Sequence, residues 1–133
     1  MQDNFKVGDF IEWKKTFTLV DVQKFAEISG DVNPVHLDAD FAASTQFGQP
    51  IVHGMLVASL FSAIIANELP GPGTIYLHQS LDFKAPVYHN SEVMARVEII
   101  HIRADKPIFE LSTICRNADG KILIEGKAIV IKK

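Results

Sequence analysis

Apolar positions along this chain change their rhythm once, at the GPG of residues 71–73. Before it, Phe10, Ile11, Trp13 and Phe17 can pack one short strand ending near Thr18, and helices follow. Thr18, with Asp21 three positions on, has the capping-box spacing that opens a helix. Val22, Phe25, Ala26 and Ser29 share one face of that helix, and Gly30 supplies its stop. Asp38 can cap a short helix through DADFAASTQ. After the turn FGQPIVHGM, a long helix is predicted from about Gly54 to Glu68. It is apolar nearly all round, so it should be wrapped by other structure.

Beyond the GPG the pattern predicts strands. TIYLHQSLDFKAP is long and mixed, and Pro86 ends or bends it. In SEVMARVEIIHI, Val93, Ala95, Val97 and Ile99 alternate on one face. ADKP (104–107) is a turn, IFELSTICR a strand, NADG (117–120) a hairpin turn, and KILIEGKAIVIKK the last strand. One apolar helix followed by a meander of long strands implies an α+β domain over 1–133. An antiparallel sheet curled around a single buried helix is the hot-dog architecture. Such a subunit leaves an edge strand unprotected, which invites pairing with a second copy.

Composition narrows the partners. The chain has 133 residues, one domain's worth, with 47% hydrophobic and 22% charged residues, as in an ordinary globular protein. A net charge of −3 offers nucleic acid no electrostatic footprint. The single cysteine, Cys115, cannot form an intrachain disulfide, which fits a reducing compartment such as the cytoplasm. MQDNFKVGDF lacks the apolar run of a signal peptide, and MLVASLFSAIIA is too short for a membrane span of about 20 residues. No nucleic-acid or membrane partner is expected.

Candidate chemistry sits in SGDVNPVHLD, residues 29–38. Gly30 ends the helix, so Asp31 begins a loop. Asn33 precedes a proline and is pushed out of the helical region, which places His36 at a defined position relative to Asp31. A carboxylate and an imidazole facing one cavity can hold a water and move its protons. Asn33 and Asp38 are better used in turns and caps. For Asp31 and His36, the spacing alone leaves catalysis and turn formation equally open. No metal site is expected: Asp31, His36 and Asp38 lack an accompanying histidine or thiolate cluster. His53 reads as a helix-opening residue bonded to backbone, and His78, His89 and His101 have no partner pattern.

FAEISGDVNPVHLDADFA, residues 25–42, resembles the signature of the MaoC-like hydratases, the (R)-specific enoyl-CoA hydratases. Phe25, Ser29, Gly30, Asp31, Asn33, Pro34, Val35, His36 and Ala42 fill its places, and PIVHGMLVASLFS resembles the start of the family's central helix. The resemblance implies a hot-dog homodimer that adds water to a trans-2-enoyl-CoA, giving the (R)-3-hydroxyacyl-CoA. Coenzyme A is then part of the substrate, and no further cofactor is expected. Catalysis would fall to Asp31 as base toward the attacking water and to His36, which would bind the same water and help return a proton.

Gly54 opens the long helix, where free N–H groups favour an anion. Without the resemblance a packing glycine is an equal reading; with it, Gly54 N–H becomes the donor to the thioester oxygen. Ser62 has no histidine–acid pair to activate it, and the resemblance places it with Ile65 and Val130 along the acyl pocket. Bulky Ile65 would form the floor and select a short chain. Lys84, Arg103 and Lys106 are candidates for the CoA phosphates. A hot-dog thioesterase or carrier-protein dehydratase is the alternative enzyme, against which the GD-x-NP-x-H motif argues. A non-catalytic acyl-CoA-binding module is the alternative of a different class.

Overall fold

The structure, a computed structural model, describes residues 4–133; the first three residues of the N-terminal stretch lie outside the described part. Its elements are β1 (Phe10–Thr16), α1 (Leu19–Ser29), α2 (Pro34–Leu37), α3 (Ala39–Ala43), α4 (Gly54–Asn67), β2 (Ile75–Gln79), β3 (Asp82–Phe83), β4 (Glu92–Ile102), β5 (Ile108–Asn117) and β6 (Ile122–Ile131). The sheet is antiparallel with order β1-β4-β5-β6-β2, and β3 pairs with β6.

Strand alternation decides which face meets α4. Val93, Ala95, Val97 and Ile99 of β4 are buried, as are Leu111, Thr113 and Cys115 of β5. All but Thr113 join Val57, Phe61, Ile64 and Ile65 of α4 in one hydrophobic cluster. Each such aliphatic side chain taken from water contributes about 1.5–3 kcal/mol. The helix is not wrapped on every side: Met55, Ser59, Ser62 and Ala66 stay exposed. One layer of sheet can cover only one flank of a helix, and this single chain supplies no second layer.

The caps behave as their chemistry requires. Thr18 N–H donates to Asp21 Oδ2 at 2.9 Å while Asp21 N–H donates to Thr18 Oγ1 at 3.3 Å. Gly30 ends α1 at φ 80°, a conformation that favours glycine. Asp38 accepts from the N–H groups of Asp40 and Phe41.

Two expectations need correction. PVHL is one helical turn and not open loop, because Pro34 occupies the first helical position where no N–H is needed and Asn33 caps it. The long mixed strand breaks into β2 and β3 at Ser80–Leu81. There the chain runs alongside β6 so closely that a Cβ on Gly126 would lie 1.8 Å from the Ser80 carbonyl oxygen. Ser80 N–H donates to the Lys127 carbonyl at 2.9 Å and Lys127 N–H to Ser80 Oγ at 3.0 Å, so the pairing with β6 continues through the break.

Candidate active site

Three successive side chains fold the segment after α1. Ser29 Oγ accepts from Asp31 N–H at 3.1 Å, Asp31 Oδ1 from Asn33 N–H at 3.2 Å, and Asn33 Oδ1 from Val35 N–H at 3.1 Å. Each is a short polar side chain bonding the backbone two residues on, the habit that makes Ser, Asp and Asn turn formers. The result holds one carboxylate oxygen of Asp31 in place and leaves the other without a protein partner among the described residues.

His36 is oriented by the segment that leads into α4. Ile51 N–H donates to the Val35 carbonyl at 3.2 Å, and the Ile51 carbonyl lies 2.8 Å from His36 Nδ1. A carbonyl only accepts, so Nδ1 carries the hydrogen and Nε2 presents a lone pair. His36 is 8% exposed, and this burial pushes its pKa below the ordinary imidazole value. The Ile51 carbonyl opposes that shift, His53 adds to it, Asp31 opposes it and His89 adds to it.

Asp31 and His36 come together with His53, Gly54, Met55 and Phe83 around a cleft of about 240 Å³. One donor atom from each of Asp31, His36 and His53 lies within 4.8 Å of those of the other two. A single water with bonds of about 2.8 Å can span that separation. Gly54 is the first residue of α4, and the first helical bond runs from Val57 N–H to the His53 carbonyl. The N–H groups of Gly54, Met55 and Leu56 therefore precede the helical ladder, and His53 makes no side-chain cap over them. A carboxylate, a neutral imidazole and a helix N-terminus thus face one small space. The arrangement can hold a water, move its protons and stabilise a developing negative charge.

The same donors are poorly arranged for a metal ion. The rings of His36 and His53 stack with centroids 3.9 Å apart and planes inclined by 27°. Planes so nearly parallel meet far beyond the roughly 2 Å reach of a metal–nitrogen bond.

A second cleft of about 320 Å³ adjoins the first through Gly54 and Phe83, and its wall is apolar except for Lys84. A larger cleft of about 490 Å³ continues from it past Ala85, Pro86 and Val87 but touches neither Asp31 nor His36. Ser62, Ile65 and Val130 line neither cleft at Gly54. Ser62 is exposed on α4, while Ile65 at 2% and Val130 at 0% exposure belong to the core. Among the phosphate candidates, Lys84 reaches the apolar cleft and pairs with Glu125 at 3.2 Å. Arg103 is forked onto Asp105 and lies by a different cleft, with His101 and Glu110, and Lys106 is exposed on the β4–β5 turn.

Sequence reasoning missed Phe83 and understated His53. Phe83 had no signal, since it sat inside what read as one long strand. His53 is bonded to backbone as expected, but its partner is the carbonyl of Asp31 itself, at 3.0 Å.

A six-stranded antiparallel sheet on one long helix defines an α+β hot-dog protein, with an acid, an imidazole and a helix N-terminus at one cleft. Residues 9–113 match the MaoC like domain, and the chain belongs to that family. It is 48% identical over 127 residues to an (R)-specific enoyl-CoA hydratase of Aeromonas caviae, across 96% of this chain and 95% of that protein. A solved structure of the (R)-hydratase from A. caviae involved in PHA biosynthesis superposes with a TM-score of 0.96 at 46% identity, covering 99% of this chain and 100% of that one. A mitochondrial 3-hydroxyacyl-acyl-carrier-protein dehydratase of Solanum lycopersicum is 42% identical over 125 residues, covering 92% of this chain and 74% of that protein.

Proposed function

We propose that this protein is an (R)-specific enoyl-CoA hydratase acting on short-chain trans-2-enoyl-CoA, with Asp31, His36 and Gly54 as its reacting groups. The observation that carries this reading is the meeting of Asp31, His36 and the N-terminus of α4 in one cleft. The likeness to hydratases over nearly the whole chain supports it. The water's oxygen bonds to C3 while Asp31 takes one of its protons. His36 Nε2 accepts the water's other hydrogen and sets its direction. The electron pair of the double bond moves toward the thioester oxygen, held at Gly54 N–H, and C2 then takes a proton back from the acid–imidazole pair. One C–O and one C–H bond replace the C=C π bond and an O–H bond, and no cofactor enters.

The apolar cleft beside Gly54 accepts one of the two arms that leave the thioester, with Lys84 at its rim. We assign the acyl end to Ser62, Ile65 and Val130. Ser62 is exposed in the single chain, so its place in a pocket wall depends on a second copy covering α4. Two features support a homodimer: the exposed stripe of Met55, Ser59 and Ser62, and the edge strand β2 with Ile75, Tyr76 and Leu77 exposed. Light scattering at micromolar concentration checks it, and a compact monomer would remove both the dimer and the pocket assignment.

The carrier remains a second reading on a specific observation. The GD-x-NP-x-H motif sits in a chain that is also similar to a 3-hydroxyacyl-acyl-carrier-protein dehydratase, whose chemistry is the same step reversed. Loss of the conjugated absorbance of crotonyl-CoA tests the function, with the acyl-carrier-protein thioester run beside it. Asp31→Asn and His36→Gln should each lose about 10²–10⁴ in turnover with the fold intact by circular dichroism. Thiol release without hydration would instead identify a thioesterase.

A further inference from the structure

His53 lies at the meeting point of Asp31, His36 and the start of α4. Its Nε2 lies 3.0 Å from the Asp31 carbonyl oxygen, so Nε2 carries the hydrogen and donates it. Its ring stacks on that of His36, and Phe25 meets it edge-on with centroids 4.8 Å apart. The next residue in the chain is Gly54. His53 is only 2% exposed, and its second nitrogen, Nδ1, is buried with no partner among the described residues.

That orphaned nitrogen decides between two roles. Leaving a buried polar atom unpaired destabilises a fold. If filling space beside Phe25 and His36 were the whole task, a phenylalanine would do it with no such cost. What phenylalanine cannot do is donate to the Asp31 carbonyl. We propose that His53 is a positioning residue for hydration: its Nε2–H bond fixes the main chain of Asp31, and its face fixes the plane of His36. The separation of the two reacting side chains is then set by one rigid ring, and not by the loop between them. The loop's side-chain bonds run within 29–35, so they shape Asp31 locally but do not tie it to α4. The bond from His53 is what references Asp31 to the helix whose N–H groups receive the thioester oxygen.

This inference rests on the hydratase reading, and the experiment separates the two. His53→Phe keeps a ring and loses the donor; His53→Gln keeps an N–H donor at nearly the same reach and loses the ring. Crotonyl-CoA hydration and melting temperature are measured for wild type and both variants. In His53→Phe we expect kcat to fall by about 10²-fold, the loss that a displacement near 1 Å can cause, with KM little changed. Its melting temperature should be unchanged or higher. His53→Gln should recover part of the kcat. Wild-type kcat in a folded His53→Phe would overturn the inference and leave the hydratase reading standing. So would a lowered melting temperature with kcat preserved in the folded fraction, or a His53→Gln no better than His53→Phe. An inactive wild type would instead overturn the functional reading itself.

Discussion

Gly54→Ala isolates what a glycine does at the head of α4. A Cβ there would lie 2.6 Å from Phe83 Cε1 and 2.7 Å from Cδ1. Carbon atoms rest about 3.5–4.0 Å apart, so the ring must retreat by about 1 Å. Phe83 is 52% exposed on a strand of two residues, and its ring can swing into solvent. The stability change is therefore expected to stay within about 0.5 kcal/mol, the usual range for surface substitutions. Activity should fare worse. The alanine keeps its N–H, but its methyl occupies the space through which a thioester carbonyl approaches, and losing one such donor costs about 10²–10³ in kcat. The assay is crotonyl-CoA hydration beside a melting curve, repeated in Gly54→Ala/Phe83→Ala. If ring displacement were the whole effect, the double variant would regain activity; we expect it not to. A Gly54→Ala enzyme with wild-type kcat/KM would refute the oxyanion assignment.

Three further outcomes are expected. Burial holds His36 below its ordinary pKa, so as pH falls past about 6.5 the unfolded chain takes the proton first. Stability from this group is then complete above that pH and lost on descending toward the folded value; subtracting the melting curve of His36→Gln isolates it, and a loss that begins on raising the pH would contradict the burial argument. The acid limb of kcat/KM should accordingly lie below about pH 6.5. Gly126→Ala places a methyl against the Ser80 carbonyl, backbone that cannot swing aside, and should cost about 1–3 kcal/mol or more by denaturant unfolding; an unchanged midpoint would mean the approach is loose. Ile65→Ala should raise the kcat/KM ratio of octenoyl-CoA over crotonyl-CoA while costing about 2–5 kcal/mol of stability; a lower melting temperature with an unchanged ratio would leave Ile65 to the core alone.

Local chemistry made much of this protein legible from its sequence. The Thr18–Asp21 cap, the Gly30 stop, the Asp38 cap and the alternation of β4 all depend on neighbours a few residues apart, and the structure keeps each of them. The order of helix and strands, and so the α+β class, follows from the same short-range rules. The GD-x-NP-x-H segment was legible through its resemblance to a family signature, and its local turn is built by side chains that each reach two residues ahead. Only tertiary structure decided the rest. That His36 receives its tautomer from Ile51, that His53 bonds Asp31 across 22 positions, and that Phe83 covers Gly54 are contacts between segments distant in sequence. The break between β2 and β3 was equally hidden, because its cause lies at Gly126 on another strand. Periodicity reports which face of an element is apolar; it does not report what that face will meet. The exposed flank of α4 shows the limit most plainly, since a sequence apolar on all sides cannot say which side its own chain will cover.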